Sequence, residues 1–557
     1  MSFTSLTFVL FAIVAIAALR FSPHGPPKKF VTLLLNAVFL TSFLSSPIEV
    51  IPLLAFVSAG FLAIRTVRTI KIPFALAIFI ALFIGAFAWL KQYPLFGWFG
   101  LATLPIMVIG LSYILFRILH LLIDVAQGTS ECPPIIDYFC YVLFFLNLVS
   151  GPIQRYEDFA SEMNSPPVQS TSDDIYLSIH RIVLGYFMIV VMSTIATEFM
   201  DLGRPMLSAA LVRGGTLDVV RIYSLLISVY LLNIFANFAG YMHVIIGIGG
   251  LAGIRVPENF NHPLAAKNLG DLWARWHMTL SSWLKTYLFN PLLKTMVGRW
   301  SSPAAAPYLG AIAFFVTFLV VGFWHGTTFQ FFVYGVVMGI GITSHWLWQH
   351  GLSRRMGKKR YRELCARPWY YELSRAATLS FFAVAMTCIW ISSLDLSRLF
   401  EFRNSVAVVV SFAFLTVAGA AFGGVWDSIR DRLVARVSWL GQGRGPLRLL
   451  RAFEPWILCA VAGALLEGAV LEISGATAAS SITHSAVTIG TFTALFTAAL
   501  VAGGVFDPPM KVLLQGSPES PNKNDALAVW LGLRIFIVLN FQILLASAVP
   551  TFIYRAF

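Results

Sequence analysis

Apolar stretches recur along this chain near residues 3–20, 30–46, 50–64, 72–90, 99–123, 135–151, 176–200, 219–250, 306–323, 327–349, 369–394, 405–425, 455–473, 485–506 and 527–552. Most are about 15 to 30 residues long, the length an α-helix needs to cross a hydrocarbon core of roughly 30 Å. None shows the two-residue alternation of an outer-membrane barrel strand. The pattern predicts an all-α polytopic integral membrane protein with roughly 11–15 membrane segments. The run from Met1 to Leu19 lacks a basic leading region, and Arg20 follows it, so it reads as a first spanning helix rather than a cleaved signal.

The polar positions supply the topology. Basic residues gather at Arg20, Lys28 and Lys29, at Arg65, Arg68 and Lys71, along Arg354–Arg367, and along Arg430–Arg451. Such clusters face the cytoplasm. Two spans separate the first pair of clusters and two the last pair, which places the N-terminus outside. Between the second and third clusters the count is seven, and an odd number cannot join two loops on one side. Some part of residues 72–353 therefore does not cross simply. The region 251–297 is the expected exception, because Glu258, Lys267, Asp271, Arg275, His277 and Lys285 lie in it among Trp and Leu. Irregular backbone is tolerated at membrane depth only inside protein or beside a wet cavity. Polar linkers lie at 160–174 and 515–525.

Composition sharpens this picture. Of 557 residues, 58% are hydrophobic and 12% charged, against roughly 25% charged in a soluble domain; mean hydropathy is +0.78. The formal charge of +13 sits in short loops, so the expected partner is the lipid bilayer and not nucleic acid. Cys132, Cys140, Cys365, Cys388 and Cys459 form no CxxC pair and no zinc spacing with histidine, so no metal is expected.

Chemistry enters with two histidines. Between Arg299 and His345 there is no Asp, Glu, Lys or Arg, and His325 is the only histidine, in Gly322-Phe323-Trp324-His325-Gly326. A titratable side chain at membrane depth faces a protein interior or a wet cavity. The pairs Gly322/Gly326 and Gly335/Gly339 have the spacing that lets helix backbones approach. Upstream, Asn268 can cap a helix running to Leu288. On it Asp271 and Arg275 form an i, i+4 pair, and Trp273, His277, Leu280 and Leu284 share one face. An interfacial amphipathic helix explains the Trp, Lys and Tyr there, but not a histidine on the apolar face. A neutral imidazole can take a proton from a hydroxyl, a contribution of about 10² to 10⁴ in rate. The bland alternative is a packed histidine hydrogen-bonded to a neighbouring helix.

Two further motifs are Gly151-Pro152-Ile153-Gln154-Arg155-Tyr156-Glu157-Asp158-Phe159, a Gly-Pro helix stop, and Pro257-Glu258-Asn259-Phe260-Asn261-His262-Pro263, a loop fixed by two prolines. Together with Trp273–Leu288 and Gly322–Gly326, these four ordered motifs resemble the bacterial branch of the membrane-bound O-acyltransferase family. The stretch Leu104-Pro105 through Gly110, Ser112, Tyr113, Phe116 and Asp124 and the ending Pro550–Phe557 are also similar to that branch. The resemblance covers roughly residues 100–350.

It implies a helical bundle with re-entrant or short helices around a central tunnel. Residues 1–100 would be N-terminal transmembrane helices, 101–350 the catalytic core and 351–557 C-terminal transmembrane helices. It implies His325 as general base and His277 as the group that orients or polarises. Trp324, Arg275, Trp276, Asn259, Asn261 and Arg155 would bind substrate or support the site. No cofactor is implied; acetyl-CoA or an acyl-carrier thioester would be the donor substrate, reached from the cytoplasmic side. The acceptor would be a hydroxyl of an exported or envelope polysaccharide, reached directly or through a periplasmic acyl-accepting partner. The implied location is the bacterial cytoplasmic (inner) membrane.

The chain departs from the family at Phe238-Ala239-Gly240-Tyr241-Met242-His243, where an acidic residue is usual, and at Leu292-Leu293-Lys294-Thr295, in place of a Gly-Gly turn. A transporter or flippase also uses broken helices and membrane-depth histidine, but no inverted repeat is visible. A non-catalytic scaffold of a polysaccharide assembly complex is the third reading.

Overall fold

In the computed structural model the described residues are 3–44, 46–69, 74–94, 109–165 and 171–436. The apolar stretches near 455–473, 485–506 and 527–552, the Leu104-Pro105 pair and the Pro550–Phe557 ending lie outside them. The described helices are α1 (Leu6–Phe21), α2 (Pro26–Thr41), α3 (Val50–Thr69), α4 (Ala75–Leu90), α5 (Leu111–Gln127), α6 (Ile135–Val142), α7 (Phe145–Leu148), α8 (Tyr156–Asn164) and α9 (Ser172–Phe187). They continue with α10 (Thr194–Arg213), α11 (Thr216–Ala252), α12 (Leu269–Trp273), α13 (Met278–Leu284), α14 (Asn290–Arg299), α15 (Ala306–His325), α16 (Phe329–Met356), α17 (Lys358–Ala366), α18 (Pro368–Trp390), α19 (Ser393–Leu399) and α20 (Phe402–Arg436).

Seven described helical spans are long and apolar enough to cross a membrane, and α1 and α4 are shorter apolar helices. Among the described residues there is no strand beyond one isolated bridge, Phe260 to Trp276. The chain is an all-α polytopic membrane protein, as the hydropathy pattern predicts.

Helix α11 is the axis of the bundle. It is apolar on every face, and such a helix belongs in an interior. Of its 37 residues 26 are buried, between Val219 and Ala252, against α1, α9, α10, α18 and α20. At 1.5 Å per residue it spans about 55 Å, well beyond the apolar stretch 219–250 needs to cross a bilayer. The stretch 176–200 is likewise longer than expected: α9 passes through a π-helical turn, Met188–Ser193, into α10, giving one continuous helix over Asp174–Arg213. The turn faces α11, where Ser193 donates to Asn233 Oδ1 at 2.6 Å and accepts from Asn237 Nδ2 at 3.2 Å.

The small-residue expectation holds where two backbones meet. A Cβ on Gly322 would lie 2.5 Å from the Phe331 carbonyl oxygen and 2.7 Å from Gly335 Cα, so α15 and α16 pack at backbone contact. Gly326 lies past the end of α15, in the turn.

Two expectations need correction. The stretch 135–151 is not a span. It forms α6 and α7, eight and four residues long. The buried Arg117 of α5 donates to Tyr141 O and Val142 O from Nη1, at 3.0 and 2.8 Å, and to Asn147 O from Nη2 at 2.5 Å. Asn36 Oδ1 accepts from Phe145 N at 2.9 Å, and Asn36 Nδ2 donates to Cys140 O at 3.3 Å. Two side chains from other helices thus supply partners that a continuous helix would have found within itself.

Residues 251–297 are broken, as expected. Finally, Asn268–Leu288 is not one helix. Asn268 Oδ1 does accept from Asp271 N at 2.9 Å, yet α12 ends at Trp273. His277 is in the left-handed region at φ 47°, and α13 starts after it. A π-helical turn, Lys285–Phe289, then leads into α14.

Candidate active site

The loop that carries His277 is shaped by pairing. Asn261 N donates to Arg275 O and Met278 N to Asn259 O, both at 2.9 Å, around the bridge between Phe260 and Trp276. This sets Asn259 opposite His277. A non-glycine residue at positive φ is uncommon and is held only by strong surroundings. Here Trp276, 4% exposed, is wedged among Phe235, Phe260 and Phe382, and Phe238 of α11 lies edge-on to the His277 ring at 4.9 Å.

Asn259 is fully buried. Its Oδ1 lies 3.2 Å from His277 Nδ1, 3.1 Å from Thr279 N and 2.9 Å from Thr279 Oγ1. Thr279 Oγ1 in turn accepts from Ile153 N at 3.1 Å. The Gly151–Phe159 motif and the Pro257–Pro263 motif therefore meet at one threonine, two residues beyond His277. On the other side of the ring, the Tyr113 hydroxyl of α5 lies 3.5 Å from His277 Nε2.

His325 is the last residue of α15 and is 7% exposed. Helix C-termini leave carbonyls without intrahelical partners and attract cations. Here Lys91, just past α4, donates to Trp324 O at 2.6 Å and His325 O at 3.4 Å, and the Tyr93 hydroxyl donates to Phe323 O. The His325 ring packs edge-on to Tyr334 of α16 at 5.5 Å. Trp324 joins the two histidines: its ring centre is 4.7 Å from that of His325 and 6.3 Å from that of His277, and Tyr113 and Phe116 pack on it. Two histidines 48 residues apart in sequence thus share one buried aromatic neighbour.

The remaining candidates fall into two groups. Asn259 touches His277, and Trp276 walls the loop. Arg275 pairs with Asp271 at 2.9 Å and donates to Asn261 O at 3.3 Å, so Arg275 and Asn261 brace the loop from its outer side. Asn261 and Arg155 are exposed. Lys91, Tyr93, Tyr113 and Thr279 were not singled out as site residues from sequence. Tyr113 lies in the recognised stretch around Gly110, Thr279 lies within the Trp273–Leu288 motif, and Lys91 is a lone cation closing an apolar helix; Tyr93 carries no such signal.

Gly151 ties the Gly-Pro motif to Tyr113. It has φ 76°, and a Cβ there would stand 2.7 Å from Tyr113 Cε1. Gly151→Ala is expected to lower the thermal midpoint of the detergent-solubilised protein by an amount reflecting about 1–3 kcal/mol of local strain. A midpoint equal to wild type would contradict that contact.

Among the described residues one group has metal-ligand geometry: His120, Asp124 and Glu157, with ligand atoms within 4.8 Å of one another. Both ring nitrogens of His120 are used inside the protein. Nε2 accepts from Tyr156 N at 3.4 Å. The Tyr141 hydroxyl donates to Gln154 O at 2.7 Å, so its oxygen accepts from His120 Nδ1 at 3.3 Å. The Tyr287 hydroxyl donates to Asp124 at 2.8 Å, and Ser130 donates to Glu157. These hydrogen bonds make the group a hub that fixes α5 to α8.

Comparison with known proteins agrees with the motifs. The profile of the membrane-bound O-acyltransferase family matches residues 95–388, just over half of the chain. The chain is 28% identical over 276 residues to a teichoic acid D-alanyltransferase of Bacillus subtilis, covering 49% of this chain and 66% of that protein. It is 31% identical over 226 residues to a peptidoglycan O-acetyltransferase of Helicobacter pylori, covering 39% of each. It is 28% identical over 237 residues to a probable alginate O-acetylase of Pseudomonas aeruginosa, covering 42% and 41%. The chain thus matches under two thirds of the length of each of these relatives. With the four motifs in order, the two histidines brought to one tryptophan and the family profile spanning that core, the chain belongs to the membrane-bound O-acyltransferase family.

Proposed function

We propose that this protein transfers an acyl group, acetyl in the first instance, from a cytosolic thioester to hydroxyls of an exported or cell-envelope polysaccharide. The transfer is direct or passes through an acyl-accepting partner. The observation that carries the reading is the convergence of His277 and His325, from a broken loop and a helix end, on buried Trp324. Family membership and relatives named for transfer to teichoic acid, peptidoglycan and alginate support it.

In the proposed reaction His325 takes the proton of the acceptor hydroxyl as its oxygen attacks the thioester carbonyl. The tetrahedral intermediate collapses with loss of the thiolate, which recovers the proton from the imidazolium, leaving an ester and a free thiol. His277 orients or polarises a reacting oxygen. General-base help of this kind is worth about 10² to 10⁴ in rate. The donor is a substrate, acetyl-CoA or an acyl-carrier thioester, and the protein works in the bacterial inner membrane.

The test pairs a donor assay with polymer chemistry. Membranes containing the protein should move label from acetyl-CoA into surface polysaccharide, and a deletion strain should lose O-acetyl esters by NMR. Label that enters only from a charged carrier protein would replace acetyl-CoA as donor. Unchanged ester content in the deletion strain would exclude the function.

A further inference from the structure

The hydrogen-bond donors around Asn259 determine how His277 carries its proton. Thr279 N is a backbone N–H and can only donate, so the Asn259 atom 3.1 Å away is the amide oxygen and not the NH₂ group. Ile153 N likewise can only donate, so Thr279 Oγ1 accepts from it and directs its own proton to the same amide oxygen at 2.9 Å. An amide oxygen has no proton to give. His277 Nδ1, 3.2 Å from that oxygen, is therefore the protonated ring nitrogen, and in the neutral ring Nε2 holds the lone pair. Nε2 is turned toward the Tyr113 hydroxyl at 3.5 Å, and both Tyr113 and His277 pack against Trp324.

We propose that Asn259, its amide oxygen held by Thr279 N and Oγ1, is a positioning residue which locks His277 as the Nδ1–H tautomer and presents Nε2 as a proton or hydrogen-bond acceptor toward the reacting hydroxyl. This rests on the acyl-transfer reading for its catalytic meaning, but the tautomer itself does not. The lock joins three parts of the chain: the Gly151–Phe159 motif through Ile153 N, the Pro257–Pro263 motif through Asn259, and the start of α13 through Thr279. The orienting partner of a catalytic imidazole decides which nitrogen meets substrate, and the wrong tautomer removes most of the rate.

Two measurements test it. In protein labelled with ¹⁵N-histidine and reconstituted in lipid nanodiscs, the His277 resonances, identified by their loss in His277→Gln, should show a protonated Nδ1 and an unprotonated Nε2. Asn259→Leu, which keeps much of the shape but removes the amide oxygen that accepts from Nδ1, should populate the Nε2–H form. It should lower kcat about 10- to 100-fold with KM for donor and acceptor unchanged, and Asn259→Asp, which keeps an acceptor oxygen, should restore both tautomer and kcat. A wild-type spectrum with the proton on Nε2 overturns the proposal, and that spectrum decides the point even if Asn259→Leu does not fold. So does an Asn259→Leu protein with wild-type tautomer and kcat. A locked Nδ1–H tautomer in a protein that transfers no acyl group would uphold the lock and sink the function.

Discussion

His325→Ala is expected to reach the membrane at wild-type abundance and to lose acyl transfer by about 10² to 10⁴. The side chain ends α15 without carrying the helix. The last-turn carbonyls at Phe323, Trp324 and His325 are held by Tyr93 and Lys91, and the α15–α16 contact runs through Gly322 and Gly335, so removal of the imidazole leaves both in place. What is lost is the ring beside Trp324 and Tyr334. The measurement is the rate of label transfer to polysaccharide, normalised to protein level by immunoblot. Transfer at the wild-type rate with the protein present would make His325 a packing residue and end the general-base mechanism.

The contrast with Lys91 sharpens this. Both residues sit at the end of α15, but Lys91 acts on backbone carbonyls. Losing it should therefore loosen the helix end and reduce thermal stability together with activity, whereas losing His325 should separate the two.

The apolar periodicity and the lone histidine of α15 were readable because both are local: a run without charge announces a buried helix, and a titratable group in it stands out. The geometry of the site was not local. The spacing of Trp273, His277, Leu280 and Leu284 satisfies a helix, and nothing within the segment says that it breaks at His277. The break depends on Asn259 to Asn261 pairing with Arg275 to Met278, from a loop an arbitrary distance away in sequence. Arg275 and Asn261 were both drawn from recognised motifs, yet they meet each other on the outer side of the loop. Motif membership records that a residue belongs to the construction of the site; only the fold says whether it faces the imidazoles. Thr279 shows the converse, since an ordinary threonine acquires its position from Ile153 and Asn259, 126 and 20 residues away.

The same argument makes Arg117 the residue on which the largest stability effect is expected. It is 1% exposed, and it donates to the main-chain oxygens of Tyr141, Val142 and Asn147. Those carbonyls mark the interruption between α6 and α7. Such oxygens buried without partners cost about 1–3 kcal/mol each. Arg117→Met removes the donors while keeping much of the apolar stem, so the expected loss is at least about 3 kcal/mol, larger than the relief from no longer burying the charge among groups that already solvate it. Part of that loss should reach the site, because Asn147 Nδ2 also donates to Gln154 Oε1 at 3.1 Å, next to Ile153 and its bond to Thr279. The variant should show a lowered thermal midpoint in detergent and increased protease cleavage between residues 135 and 155. Arg117→Lys should recover only part of the loss, since an ammonium on one carbon stem cannot span three carbonyls as the guanidinium fork does. An Arg117→Met protein as stable as wild type would mean that α6 and α7 are broken by their own sequence, and that the stretch 135–151 fails to cross for reasons that do not depend on α5.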